Sequence, residues 1–236
     1  MAEAHEADIT RAQALVKAAK EIGLDSMLFI RHANSNPGSG QKRKDDPHDW
    51  KVDDQMRTLT QKGWEQCQSA SQWFSEIDIR AIMSSPARRA ADTAMAMKAQ
   101  IETEEKGAET LHVGMVDAVH PAGTSEECET LFETLGYGPL RSFFEAQGGQ
   151  VAFLQYGELA AGRICDHLQG PLMGEMGDRG SCVAVFGHAV FLNAIAYVVS
   201  NAAGGAGLET LLDMDLGETQ GVLVSLSDGS CKHILA

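Results

Sequence analysis

Apolar positions along the chain follow two periods, and their alternation outlines a fold. Between residues 9 and 22, Ala12, Leu15, Val16, Ala19 and Ile22 recur at helical spacing, and Gly23 stands where such a helix would stop. A continuous apolar run at 27–30 has the length of a buried strand and ends in the pair Arg31-His32. Thr60 is placed to cap a helix whose apolar face is Trp64, Cys67, Ala70, Trp73 and Phe74. Ala81, Ile82 and Met83 form a second short strand, followed by Ser84-Ser85-Pro86 and a helix that starts near Pro86.

The same alternation continues to the C-terminus. Residues 111–119 contain a third strand, and Thr124-Ser125-Glu126-Glu127 has the spacing of a capping box opening a helix through Leu135, stopped by Gly136. A helix covers 150–168. The apolar run 182–186 is a strand, followed by Gly187-His188 and a helix with Phe191, Leu192, Ile195 and Val198 turned inward. Strands at 221–224 and 233–235 bracket a turn at Asp228-Gly229. Strands alternating with helices predict an α/β fold with a mostly parallel sheet covered on both faces. No internal repeat or linker divides the chain, so residues 1–236 read as a single domain. The exception to the regular pattern is 34–57, a polar stretch with Pro37, Gly38, Gly40 and Pro47 that is longer than usual connections. It reads either as a lid whose Lys42, Arg43 and Lys44 attract an anion, or as a solvated connection.

Composition narrows the range of partners. The chain has 236 residues, 44% hydrophobic, and a net charge of −14. So acidic a protein lacks the dense basic face that nucleic acid requires. No apolar run approaches the roughly 20 residues of a membrane span. The acidic start, Met1 to Glu6, lacks the order of a secretory signal, which gives a cytoplasmic expectation. Cys67, Cys128, Cys165, Cys182 and Cys231 are odd in number and without metal-ligand or redox spacing, and read as free thiols in a reducing compartment.

Three segments share one design: a short apolar strand, a polar group at its carboxyl end, then a loop or helix. They carry Arg31-His32, the Ser84 to Arg89 stretch, and Gly187-His188. Carboxyl ends of parallel strands share one edge of a sheet, where open α/β folds bind ligands. A histidine beside fixed arginines at that edge is suited to attack an anionic phosphorus centre. In a globally acidic chain, a phosphate site must gather its few arginines locally.

On these residues the sequence resembles the histidine phosphatase superfamily, the phosphoglycerate mutase-like proteins. Arg31-His32-Ala33 is similar to the family's Arg-His-Gly after the first strand. Ser84-Ser85-Pro86 with Arg89-Ala90-Ala91-Asp92-Thr93-Ala94, the Leu59-Thr60-Gln61-Lys62-Gly63 helix opening, and the later Gly187-His188 follow in family order across 27–200. The resemblance implies a three-layer α/β/α fold and a catalytic set of His32, Arg31, Arg89 and His188. His32 would be the nucleophile that carries a phosphoryl group, Arg31 and Arg89 would grip its oxygens, and His188 would donate to it. Register selects Arg89 over Arg88, because Ala90 and Thr93 follow it at the family spacing. Asn34 and His120 are further substrate-binding candidates. No metal or other cofactor is implied.

Two departures from the pattern matter. Ala33 stands where the family has glycine, so a positive φ there would be strained. The region where many members place a proton-donating glutamate reads Asp117-Ala118-Val119-His120-Pro121-Ala122-Gly123; its candidate acids are His120, then Asp117 and Glu126. That segment, with Asp54-x-x-Arg57-x-Leu59-Thr60, is most similar to the small phosphohistidine phosphatase branch, from which the 34–57 stretch departs. The implied activity is hydrolysis of a phosphate monoester or phosphohistidine, acting on a small phosphorylated substrate or a phosphoprotein. The alternatives are a mutase-type phosphotransferase, a non-catalytic phosphate-binding protein, and non-phosphoryl acid–base chemistry on the same histidines.

Overall fold

The computed structural model describes residues 9–37, 53–104, 111–121, 124–170 and 180–235. Their element order is α1 (Arg11–Glu21), β1 (Ser26–Arg31), α2 (Gln61–Phe74), β2 (Ile79–Ser84), α3 (Arg88–Glu104), β3 (Val113–Met115), a 3-10 turn (Asp117–Val119) and α4 (Glu126–Leu135). They continue with α5 (Leu140–Glu145), α6 (Gly149–Gln169), β4 (Cys182–Gly187), α7 (Ala189–Ala203), α8 (Leu208–Asp213), β5 (Gly221–Ser225) and β6 (Cys231–Ile234).

The six strands form one sheet in the order β3-β2-β4-β1-β5-β6. The first four are mutually parallel, β5 runs antiparallel beside β1, and β6 runs antiparallel beside β5 at the sheet edge. Side chains alternate across the sheet as the strand period requires. Met27 and Phe29 of β1 join one core with Leu15 of α1, Phe153 of α6 and Ile195 of α7. Leu28 and Ile30 join a second core with Phe74 of α2 and Met97 of α3. The sheet is therefore buried on both faces, which is why its central strands read as unbroken apolar runs.

Register brings three strand ends level. Ile30 of β1 and Ser84 of β2 both pair with Phe186 of β4. The ladder runs one step beyond the strands, with His32 N–H donating to the Gly187 carbonyl at 3.0 Å and Ser85 N–H donating to Phe186 at 2.9 Å. Two glycines are required by close approach. A Cβ on Gly187 would lie 2.8 Å from Val119 Cγ1 and 2.9 Å from Leu192 Cδ2, so only glycine fits before His188. A Cβ on Gly63 would lie 2.1 Å from the Asn34 carbonyl oxygen, which the backbone N–H of Thr60 reaches at 3.1 Å.

Several expectations are corrected. Trp64 is 47% exposed, so the buried face of α2 is Gly63, Cys67, Ala70, Ser71 and Phe74. Ser125 rather than Thr124 caps α4, accepting from the Cys128 N–H. Helices α5 and α8 have six residues each, too short to show a period, and were not anticipated. Residues 38–52, with Lys42, Arg43 and Lys44, lie outside the described residues. Ala33 causes no strain: the positive-φ residue other than glycine among the described residues is Thr219, and the Ala33 methyl packs with Leu59 and Cys67.

Candidate active site

His32, Arg89 and His188 meet at the level strand ends. The imidazole Nδ1 of His32 lies 2.7 Å from the Ala33 carbonyl, which can only accept, so Nδ1 carries the proton. The lone pair is then on Nε2, facing Arg89, whose Nε–H donates to it at 3.1 Å. Burial, reinforced by the positive charge of Arg89 and Arg31, lowers the His32 pKa to about 3. The side chain therefore stands at neutral pH as a free base.

Arg89 is held by helix α3. It is 5% exposed, whereas its neighbour Arg88 points outward and pairs with Asp92 at 3.5 Å. One turn further, the Thr93 hydroxyl donates to the Arg89 carbonyl at 2.7 Å and accepts from the Ala33 N–H at 3.1 Å. Thr93 thus ties α3 to the residue that follows His32. On the other side, Arg89 Nη2 donates to His188 Nδ1 at 3.3 Å, and His188 Nε2 donates to Ser85 Oγ at 2.9 Å. Burial and the Arg89 charge push the His188 pKa well below its ordinary value. The rings of His32 and His188 stand edge to face, with centroids 5.3 Å apart.

A carboxylate completes this end of the site. Asp54 accepts from Arg89 Nη2 at 3.0 Å, Arg57 Nη1 at 3.2 Å and His120 Nε2 at 3.4 Å. Burial alone would raise its pKa, but the hydrogen bond from His120 and the charge of Arg89 hold it below the usual carboxylate range. Three donors converging on an anion at this point mark an anion seat. Arg31, at the end of β1, donates through Nη1 to the Leu216 carbonyl at 2.7 Å. Its buried Nε has no hydrogen-bond partner among the described residues.

Above these groups opens a cleft of about 230 Å³, with His32, His188, Arg31, Arg57, Arg89 and Asp54 at one end. Its other walls are Pro121, Phe191 and the face of α4 carrying Glu129, Phe132 and Glu133, with Tyr137 beyond the helix end. The Tyr137 ring covers the Arg31 guanidinium at 4.9 Å.

Other candidates lie elsewhere. Asn34 is not a wall of the cleft. Its Nδ2 donates to Glu218 at 2.7 Å and its Oδ1 accepts from the Thr60 hydroxyl at 2.6 Å, so both ends of the amide hold neighbouring loops together. His120 is buried behind the wall, its ring 5.1 Å from that of His188, and its Nδ1 has no hydrogen-bond partner among the described residues. Asp117 and Glu126 are exposed and outside the cleft. Ser85, Asp54 and Arg57 appeared only as parts of motifs, while Glu129, Glu133 and Tyr137 carried no signal of their own. A residue on an exposed helix face shows its role only when the facing wall is known.

This arrangement gathers two histidines, three arginines and a carboxylate at the edge of an α/β sheet. Residues 27–128 match the family model of the histidine phosphatase superfamily (branch 1). Among solved structures the chain is similar to mycobacterial glucosyl-3-phosphoglycerate phosphatase, at 13% identity over 89% of this chain and 97% of that one, with a TM-score of 0.52. It is also similar to the alpha-ribazole phosphatase from Shigella flexneri, at 12% identity over 89% of this chain and 96% of that one, with a TM-score of 0.50. At such identities the likeness is one of fold. No curated protein matches the chain.

Proposed function

We propose that this protein is a phosphatase that hydrolyses a phosphate monoester or phosphohistidine by way of a phosphoryl group carried on His32. The superfamily and the phosphatases sharing its fold support phosphatase-type activity. The observation that carries the reading is the His32 Nε2 lone pair, unprotonated and facing the buried Arg89.

The substrate phosphoryl group takes the anion seat, its nonbridging oxygens accepting from Arg89, Arg57 and the unpaired Nε of Arg31. Arg89 and Arg57 must exchange part of their hold on the Asp54 carboxylate for the phosphate. His32 Nε2 attacks phosphorus in line, the bond from phosphorus to the leaving oxygen or nitrogen breaks, and its electron pair stays with the leaving group. Preorganised guanidinium groups and the His188 ring stabilise the charge that spreads over the equatorial oxygens. Water then attacks the phosphohistidine, releasing phosphate and restoring neutral His32. Glu129, half-buried in the cleft wall, is positioned better than Asp117 or Glu126 to protonate a leaving group.

Phosphate release from an aryl phosphate tests the reading, because its good leaving group makes no demand on an acid. Turnover by the native protein, its loss in His32→Ala, and an acid-labile phosphohistidine trapped by rapid quenching are the expected results. Absence of turnover between pH 5 and 8 would overturn it.

A further inference from the structure

His32 is held from behind by a path of hydrogen bonds that begins far from it in the sequence. Its Nδ1–H donates to the Ala33 carbonyl at 2.7 Å. That carbonyl belongs to the Ala33-Asn34 peptide, a rigid plane whose other polar group is the Asn34 N–H. The Asn34 N–H donates to Gln66 Oε1 of α2 at 2.8 Å. A backbone N–H can only donate, so this bond gives the Gln66 amide a single orientation, with Nε2 on the far side. There Nε2 donates to Glu218 Oε2 at 2.9 Å. Carboxylate, amide, peptide plane and imidazole form one continuous path.

The loop that carries Glu218 is tied to the same strand end. Thr219 N–H donates to the Arg31 carbonyl at 3.1 Å, and Arg31 N–H donates to the Gln220 carbonyl at 3.0 Å. Thr219 is buried and holds φ at +60°, in the left-handed region where a β-branched residue is strained. Such strain persists only where the surrounding contacts over-determine the backbone. The second oxygen of Glu218, Oε1, accepts from Asn34 Nδ2 at 2.7 Å, and Lys62 Nζ lies 3.6 Å from Oε2. Arg31 before His32 and Asn34 after it are therefore both held by one loop, 216–220. That loop lies outside the residues 27–128 that match the family model.

Resting on the reading of His32 as the residue that carries the phosphoryl group, we propose that Glu218 and Gln66 are positioning residues that fix the tautomer and the aim of His32. Neither lines the cleft, and both act through the Ala33-Asn34 peptide. The carboxylate draws on the Gln66 amide, whose oxygen draws on the Asn34 N–H. The peptide so polarised has a stronger carbonyl acceptor for the Nδ1–H of His32. With the proton kept on Nδ1, the Nε2 lone pair stays on the side of Arg89.

Imidazole nitrogen NMR on the full chain reads the His32 tautomer without any turnover, and aryl phosphate kinetics read its consequence. Glu218→Ala removes the carboxylate, and Gln66→Glu sets one carboxylate against another. The swap Gln66→Glu/Glu218→Gln restores every bond. The carboxylate at position 66 then accepts from the Asn34 N–H and from the new amide, whose oxygen accepts from Asn34 Nδ2. Each single variant is expected to show both neutral tautomers of His32 and to lower kcat about tenfold, with KM within about twofold of native. The swap is expected to recover the single tautomer and to bring kcat within about twofold of native. A merely structural network would lower the melting temperature of the single variants and leave tautomer and kcat native, and that result overturns the proposal. So does a loss that the swap leaves in place, or a shifted tautomer with unchanged kcat. Tautomer shifts that the swap reverses, in a protein that turns over no aryl phosphate, would leave the positioning of His32 standing and defeat the phosphatase reading instead.

Discussion

The floor and the mouth of the cleft are built in opposite ways. The floor takes His32, Ser85 and His188 from three strand ends far apart in the chain, made level by sheet register. Each polar group there is buried and held by a named hydrogen bond. The mouth comes mainly from one stretch, α4 and Tyr137, whose side chains are half-buried or exposed. Register is discrete, since a one-residue slip would turn every side chain to the other face, so the floor cannot drift. An exposed helix face can change residue by residue without disturbing the core. The floor is therefore the fixed part to which the proposed chemistry is assigned, and the mouth is the part that can vary.

Breaking the floor gives the largest effects. His32→Ala removes the proposed nucleophile and is expected to lower kcat by at least about 10³-fold in the aryl phosphate assay, with circular dichroism checking the fold. Arg89→Lys loses the planar fork and costs about 10²-fold in kcat/KM, while Arg88→Lys stays within about twofold. That pair is a direct measure of which arginine faces the site.

Asp54→Ala deprives Arg89, Arg57 and His120 of their shared acceptor. It is expected to destabilise the fold by about 1–3 kcal/mol in denaturant titration. Added inorganic phosphate should recover more stability in the variant than in the native protein, because it supplies the missing anion.

The floor also gives stability a pH dependence. His32 has a folded pKa of about 3 against an ordinary 6.5, and His188 is displaced in the same direction. The unfolded chain therefore binds more protons below pH 6.5, and stability falls as pH drops from about 6.5 towards 3. The depressed Asp54 carboxyl adds a loss that begins only below its ordinary value of 3.8. Thermal unfolding followed from pH 7 to pH 4 should show a falling midpoint, with a shallower fall in His32→Ala. At the mouth, Phe132→Ala is expected to raise KM for an aryl phosphate about threefold with little change in kcat, the smallest effect and the one that best separates the two regions.

Much of the floor was legible before the fold was known. The runs at 27–30 and 182–186 announced central strands because burial on both faces leaves no polar alternation to obscure them. Helix periodicity separated Arg89 from Arg88, since neighbours on a helix point about 100° apart. Thr60 was readable as a cap, because a cap is a contact three residues long. For Asn34, its position beside His32 says nothing of where its amide turns, and Glu218, from 184 residues away, accepts from it.

Local sequence, through period, caps and strand-end motifs, determined the elements and named the histidines and arginines of the floor. Tertiary structure alone decided that Asp54 sits among Arg89, Arg57 and His120, that Tyr137 covers Arg31, and that α4 turns two glutamates to the cleft. The physical reason is range. Backbone hydrogen bonding and side-chain period act over a few residues and leave their mark in the order of the chain. Ion pairs, ring contacts and cleft walls join segments whose meeting depends on packing the whole sheet between its helices.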